Sequence, residues 1–177
     1  QLSSLANDSN RDDRQHFSHA QPKALPAEVL LDAICQTTGV SEKFNGWPAG
    51  TRSIEVWDNR MPSYFFRIFG RPVRATVCEC ERSNEPSISQ ALHLLNSPEI
   101  HEKIASRAGI ARQLSSSPRT PAELIDEIYL GTLSRFATPA ERTVLEEAFA
   151  AADTTRQQAV EDVLWSVLNT KEFLYNH

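Results

Sequence analysis

The chain reads as all-α: an irregular bundle of about six to seven short helices with a loop-rich middle and an extended N-terminal strap. Three observations predict this. Apolar residues recur at helical spacing, as in Leu30, Leu31 and Ile34, in Leu124, Ile125 and Ile128, and in Val160, Val163, Leu164 and Val167. Helix-start signals precede such stretches: Thr120-Pro121-Ala122-Glu123 and Thr138-Pro139-Ala140-Glu141 are both capping boxes with proline at the first helical position. No segment alternates for long enough to build a strand ladder.

In chain order, residues 1–24 are polar, rich in Ser, Asn and Asp, and aperiodic, so they read as a linker or strap. Residues 25–177 then form a single helical domain. Pro26 opens a helix whose inward stripe is Leu30, Leu31, Ile34 and Cys35, and Gly39 stops it. The segment 40–60, with Gly46, Pro48 and Gly50, is loop, in which Ser53 to Trp57 alternates like a short extended piece. A short helix is expected over Ser63–Phe69, ended by Gly70 and Pro72. Ser87 to Asn96 is apolar at Ile88, Ala91, Leu92, Leu94 and Leu95, which predicts a helix covered on more than one side. Gln90, a polar residue in that apolar stretch, should hydrogen-bond a neighbouring loop. Ser97 caps a further helix starting at Pro98, with Ile100 and Ile104 facing inward. Three more helices follow the Thr120, Thr138 and Gln157 regions. In the second, Val144, Leu145 and Phe149 are the apolar residues that follow the start signal. In the third, Leu164, Trp165 and Leu168 belong to a stretch too apolar for solvent, so that helix should be central.

Composition narrows the function. The formal net charge is -5, but residues 1–119 carry 14 Lys/Arg against 13 Asp/Glu, whereas residues 120–177 carry 4 against 10. An acidic C-terminal third argues against a nucleic-acid partner, which needs a broad basic face. No apolar run approaches the roughly 18 residues of a membrane span.

Candidate chemistry concentrates between Arg71 and Ile104. Arg60, Arg67, Arg71, Arg74 and Arg82 are interleaved with Tyr64, Phe65, Phe66 and Phe69. Arginine forks bind carboxylate, sulfate or phosphate bidentately, so Arg67, Arg71, Arg74 and Arg82, with Glu79 and Glu81 beside them, are the candidate ligand-binding residues. The favoured alternative pairs these arginines with Glu79, Glu81 and Glu85 as a structural clasp. Cys78 and Cys80 share a face if extended, and with His93 or Cys35 would make a weak metal site whose spacing fits no common zinc module. A disulfide to Cys35 is a second possibility, and buried free thiols acting as small apolar groups are the preferred one. Glu79 and Glu81 are too close to flank a sugar ring as a hydrolytic pair. No nucleophile can be given a His and acid partner, no glycine-rich phosphate loop exists among six glycines, and no Cys-x-x-Cys-His haem attachment motif is present. No catalytic residue and no cofactor are therefore assigned to this chain.

RATVCECERSNEPSISQALHLLNSPEIHEKI, the upstream NDSNRDDRQHFSHAQPKALPAEVLLDAICQTTG, the middle FRIFGRP and the ending EDVLWSVLNTKEFLYNH together resemble one family. It is the C-terminal domain of unknown function of large exported planctomycete proteins, many with an N-terminal c-type cytochrome domain. The recurrent core of that family is matched by Pro86, Gln90, Ala91, Leu92, Leu95 and Asn96. The resemblance implies a periplasmic or extracellular location, a longer multidomain parent whose other domains are partners, and haem, if any, in another domain. It carries no activity. The expected function is a non-catalytic interaction or scaffold module. The alternatives are a domain of an extracellular glycan-acting or electron-transfer enzyme, and a module binding acidic or sulfated polysaccharide.

Overall fold

The backbone begins its regular structure where proline and glycine bracket a helix. Pro26 precedes α1 (Ala27–Thr38), and Gly39 ends it in the left-handed region at φ 71°, returning its N–H to the Cys35 and Gln36 carbonyls. Only glycine suits that position. Besides the positive φ, a Cβ there would lie 2.9 Å from Ile110 Cγ1. The computed structural model describes residues 7–13, 15, 16, 18, 19, 22–58, 62–72 and 87–176.

Among the described residues nine α-helices follow one another: α1, α2 (Tyr64–Ile68), α3 (Ile88–Asn96), α4 (Pro98–Ile104), α5 (Ile110–Ser115), α6 (Pro121–Leu133), α7 (Pro139–Ala150), α8 (Arg156–Leu168) and α9 (Lys171–Leu174). The all-α expectation is met. The two helices beyond the expected number are the short α5 and α9. Residues 7–13 close turns on their own Asn and Asp side chains rather than running straight, with Asn7 and Asn10 joined through backbone and amide. A two-residue strand β1 (Lys23–Ala24) pairs antiparallel with β2 (Tyr175–Asn176), and the Leu25 N–H donates to the Leu174 carbonyl at 3.0 Å. The end of the strap is thereby stitched to the end of the domain.

The capping boxes at Thr120 and Thr138 act as read, and Thr155, which the sequence reading did not name, makes a third. Thr120, Thr138 and Thr155 each accept the N–H of the residue three along, while Glu123, Glu141 and Gln158 answer to the cap N–H. Ser97 is an exception. It precedes α4 but makes no side-chain cap bond. The Ser53–Trp57 alternation is overridden: Ser53–Glu55 is one 3₁₀ turn, because the Asp32 carboxylate on α1 accepts the Ser53 and Ile54 N–H groups at 2.6 and 3.3 Å.

The core is one cluster built around α8, which touches α4, α5, α6, α7 and α9. Val160, Val163, Leu164, Val167 and Leu168 are buried, as are Leu124, Ile125, Ile128 and Tyr129 of α6. Trp165 is not in that centre. It is half-buried on the flank. Nor is Val144 inward: α7 buries no residue fully, and Leu145 and Phe149 only lean on the core. Arg135 holds α7 and α9 to the turn after α6, with a bidentate bridge to Glu141 (2.8 and 2.9 Å) and two bonds to Glu172 (both 2.7 Å). That guanidinium draws the Glu141 carboxyl down to about 2. Among the described residues no helix is long and apolar enough to cross a membrane.

Candidate functional site

Ser63 caps α2 by accepting the Phe66 N–H at 3.2 Å, which turns Phe65 and Phe66 into the core and leaves Tyr64 outside. Ser87 and Gln90 form a capping box at the start of α3. The Gln90 amide also donates to the Ile68 carbonyl at 3.0 Å, the loop contact expected of it. This bond fixes the rotation of α3 about its axis. Leu94 points into the core, and His93 lies among Tyr64, Phe65 and Phe69, with ring centroids at 5.3, 5.7 and 6.0 Å. The rest of the helix faces out. Ile88 is 81%, Leu92 53% and Leu95 38% exposed. The expectation of a helix covered on several sides is therefore corrected: α3 buries one residue, Leu94, among the described residues.

Between Tyr64 on one side and Leu92, His93, Asn96, Pro98 and Glu99 on the other runs an open groove of about 580 Å³. Burial pushes the His93 imidazole below its ordinary value, towards the neutral ring. Its Nε2 is buried and has no hydrogen-bond partner among the described residues. Behind the groove lies a charged cluster that sequence reading did not name. The Lys103 ammonium, almost wholly buried, sits 3.0 Å from Glu42 Oε2. Burial raises Glu99, and a hydrogen bond to Glu42 raises it further, so its carboxyl holds a proton above the usual range. Burial would raise Glu42 too, but the Lys103 ammonium and the Lys43 N–H outweigh it and leave Glu42 ionised. The two carboxyls and the ammonium thus form one cluster in which Glu99 is shifted up and Glu42 down. Burial also raises the Cys35 thiol, which keeps it protonated and a poor nucleophile. A signal for the lysine was present. Lys103 lies in the inward stripe with Ile100 and Ile104, where a charge needs a partner.

This cluster gives a signed pH test. Glu99 binds its proton more tightly folded than unfolded, so its contribution to stability is full below the ordinary 4.5 and falls as pH rises through the raised value. Glu99→Gln keeps a donor for Glu42 without the proton. Urea midpoints should show this variant gaining on wild type as pH rises from about 5 to 8. A difference that stays flat with pH would refute the upward shift of Glu99.

Of the sequence-predicted ligand-binding residues, Arg67 and Arg71 lie among the described residues. Arg67 is exposed, its guanidinium 5.0 Å from the Tyr64 ring centroid. Arg71 turns inward. Its side chain is buried against Glu28 of α1 at 3.3 Å, lies over the Phe66 ring at 4.4 Å, and donates to the Val56 carbonyl. Arg67 and Arg71 therefore do not share one solvent-facing patch, and among the described residues Arg71 meets the acid Glu28. Arg74, Arg82, Glu79, Glu81, Glu85, Cys78, Cys80 and Arg60 lie outside the described residues. Among the described residues no three His, Cys, Asp or Glu side chains gather as a metal site.

A family model described as PSD1, protein of unknown function (DUF1553), matches residues 1–149. No curated protein and no solved structure matches. The matched region ends within α7, while the helix at the centre of the core, α8, follows it.

Proposed function

We propose, from the premise that the chain belongs to the PSD1 family of proteins of unknown function (DUF1553), that it is a non-catalytic docking module, and that α3 is the face it docks with. The carrying observation is the outward stripe Ile88, Leu92 and Leu95. These residues stand at i, i+4 and i+7, so they form one continuous ridge on a helix that carries no Asp, Glu, Lys or Arg. Exposed apolar ridges of this kind mark interaction surfaces, and an amphipathic helix offers them at the spacing a partner helix reads. The partner in this reading is another domain of one longer, exported polypeptide. The resemblance of the RATVCECERSNEPSISQALHLLNSPEIHEKI segment to cytochrome-bearing planctomycete proteins supports that setting, with any haem held in the other domain.

A second reading, a glycan-acting enzyme, is favoured by one observation: Glu99 and His93 border the same groove, and burial shifts both towards their uncharged forms. The docking reading stands ahead of it because the hydrogen bond to Glu42, itself paired with Lys103, gives Glu99 a structural task.

Leu92→Glu should leave the melting of the chain almost unchanged, since the side chain is largely in water. A photo-crosslinking residue at position 92, in the polypeptide as its own cells make it, should join a residue of that same polypeptide beyond this chain. A crosslink yield no higher than from Glu146, an exposed position on α7, would overturn the docking reading.

A further inference from the structure

A second surface, away from α3, carries an inference of its own. Tryptophan seldom stays in water, yet Trp57 is 78% exposed. Trp47 stands beside it, half-buried against the core, with ring centroids 5.9 Å apart and planes at 68°. One indole is held by the protein and the other meets it edge-on, so the two planes form an open corner. The loop that carries them is tied down. The Trp47 N–H donates to the Phe44 carbonyl at 3.1 Å, and Thr51 Oγ1 donates to the Pro48 carbonyl at 2.8 Å. Asp32 holds the following turn through Ser53 and Ile54, and its carboxylate lies 3.4 Å from Arg52 Nε. A corner prepared in this way loses little freedom when something binds.

The same loop borders a polar groove of about 350 Å³, lined by Asp32, Gln36, Ser41, Glu42, Thr51 and Arg52. We infer that the Trp47–Trp57 corner and this groove together bind a neutral pyranose glycan. A pyranose ring has the matching amphipathy. Its axial C–H face is flat and weakly positive, suited to the electron-rich face of an indole. Its hydroxyl edge can donate to carboxylate and amide oxygens and accept from a guanidinium. Charge selects the neutral class. The ionised groups lining the groove are already paired, Asp32 with Arg52 at 3.4 Å and Glu42 with the Lys103 ammonium at 3.0 Å. A sulfated or uronic acid polymer would have to take Arg52 from Asp32, whereas neutral hydroxyls can share the groups as they stand.

The test is tryptophan fluorescence of the whole chain, titrated with hexaoses of β-1,4-linked glucose, xylose, mannose and N-acetylglucosamine and of α-1,4-linked glucose, with dextran sulfate as the acidic arm. At least one neutral hexaose should give a saturable shift at millimolar concentration. Trp57→Ala should weaken that binding at least about tenfold, as removal of an aromatic anchor does. Trp57→Tyr should retain it within a few-fold, and Arg52→Ala should weaken it. The melt of Trp57→Ala should match wild type. Absence of a saturable response to every hexaose, a response to dextran sulfate alone, or unchanged affinity in Trp57→Ala would each overturn the inference. So would a shift from monomer to dimer that Trp57→Ala abolishes, which would make the corner a contact between two copies.

Discussion

Arg71→Ala should lower the free energy of unfolding at neutral pH by about 3–5 kcal/mol and should remove no affinity for acidic polysaccharide. The guanidinium is buried against Glu28, lies over Phe66, and satisfies the Val56 carbonyl. Truncation takes the cation away from a carboxylate and the donor away from a carbonyl where little water reaches them, and opens space beside the aromatic ring. Lysine cannot restore the set, because one ammonium cannot keep the planar stack on Phe66 and also reach both acceptors in fork geometry. Urea unfolding of Arg71→Ala and Arg71→Lys, alongside binding to dextran sulfate, checks both halves. A small stability change with lost polysaccharide binding would return Arg71 to an anion-binding role. Arg67→Ala is the control. It faces solvent, so its stability should shift by no more than about 0.5 kcal/mol.

Leu164→Ala should cost about 3–5 kcal/mol, and Trp165→Ala should cost less despite removing more atoms, about 2 kcal/mol. Leu164 lies at the contact of α8 with its neighbours and is 2% exposed, so its loss leaves a cavity the bundle cannot close. Trp165, one residue on, is half-buried at the flank. Much of the space it vacates opens to water, so the cavity term falls away. The order of the two midpoints in urea is the readout. Trp165→Ala as the more damaging change would place the indole in the core after all.

These two cases divide what could be read along the chain from what could not. Thr120, Thr138 and Thr155 announce their helices because a capping box closes within four residues, with no help from distant chain. Gly39 ends α1 for an equally local reason, the left-handed turn its backbone takes. The stripes of α1, α6 and α8 point inward as written, because each has a single apolar side and one way to bury it. In α3 the apolar residues run nearly all round the helix, so periodicity cannot choose a face. The Gln90 bond to Ile68 and the seat of His93 among three aromatic rings choose it, and both come from α2 and the residues just after it.

The candidate sites were legible only as residue types. His93 could be named from sequence, but whether it lay in core or groove depended on where α2 came to rest. Arg71 was visible as an arginine, and its pairing with Glu28 could not be, since Glu28 reaches it only once α1 lies along the loop. Lys103 with Glu42 and Glu99, and Trp47 with Trp57, likewise meet only once the chain has folded. Helix class, caps and most inward stripes follow from interactions within a few residues, whose energies are settled by neighbours in the chain. Buried charge pairs, the exposed ridge of α3 and the aromatic corner depend on which surfaces meet, and only the packed fold settles that.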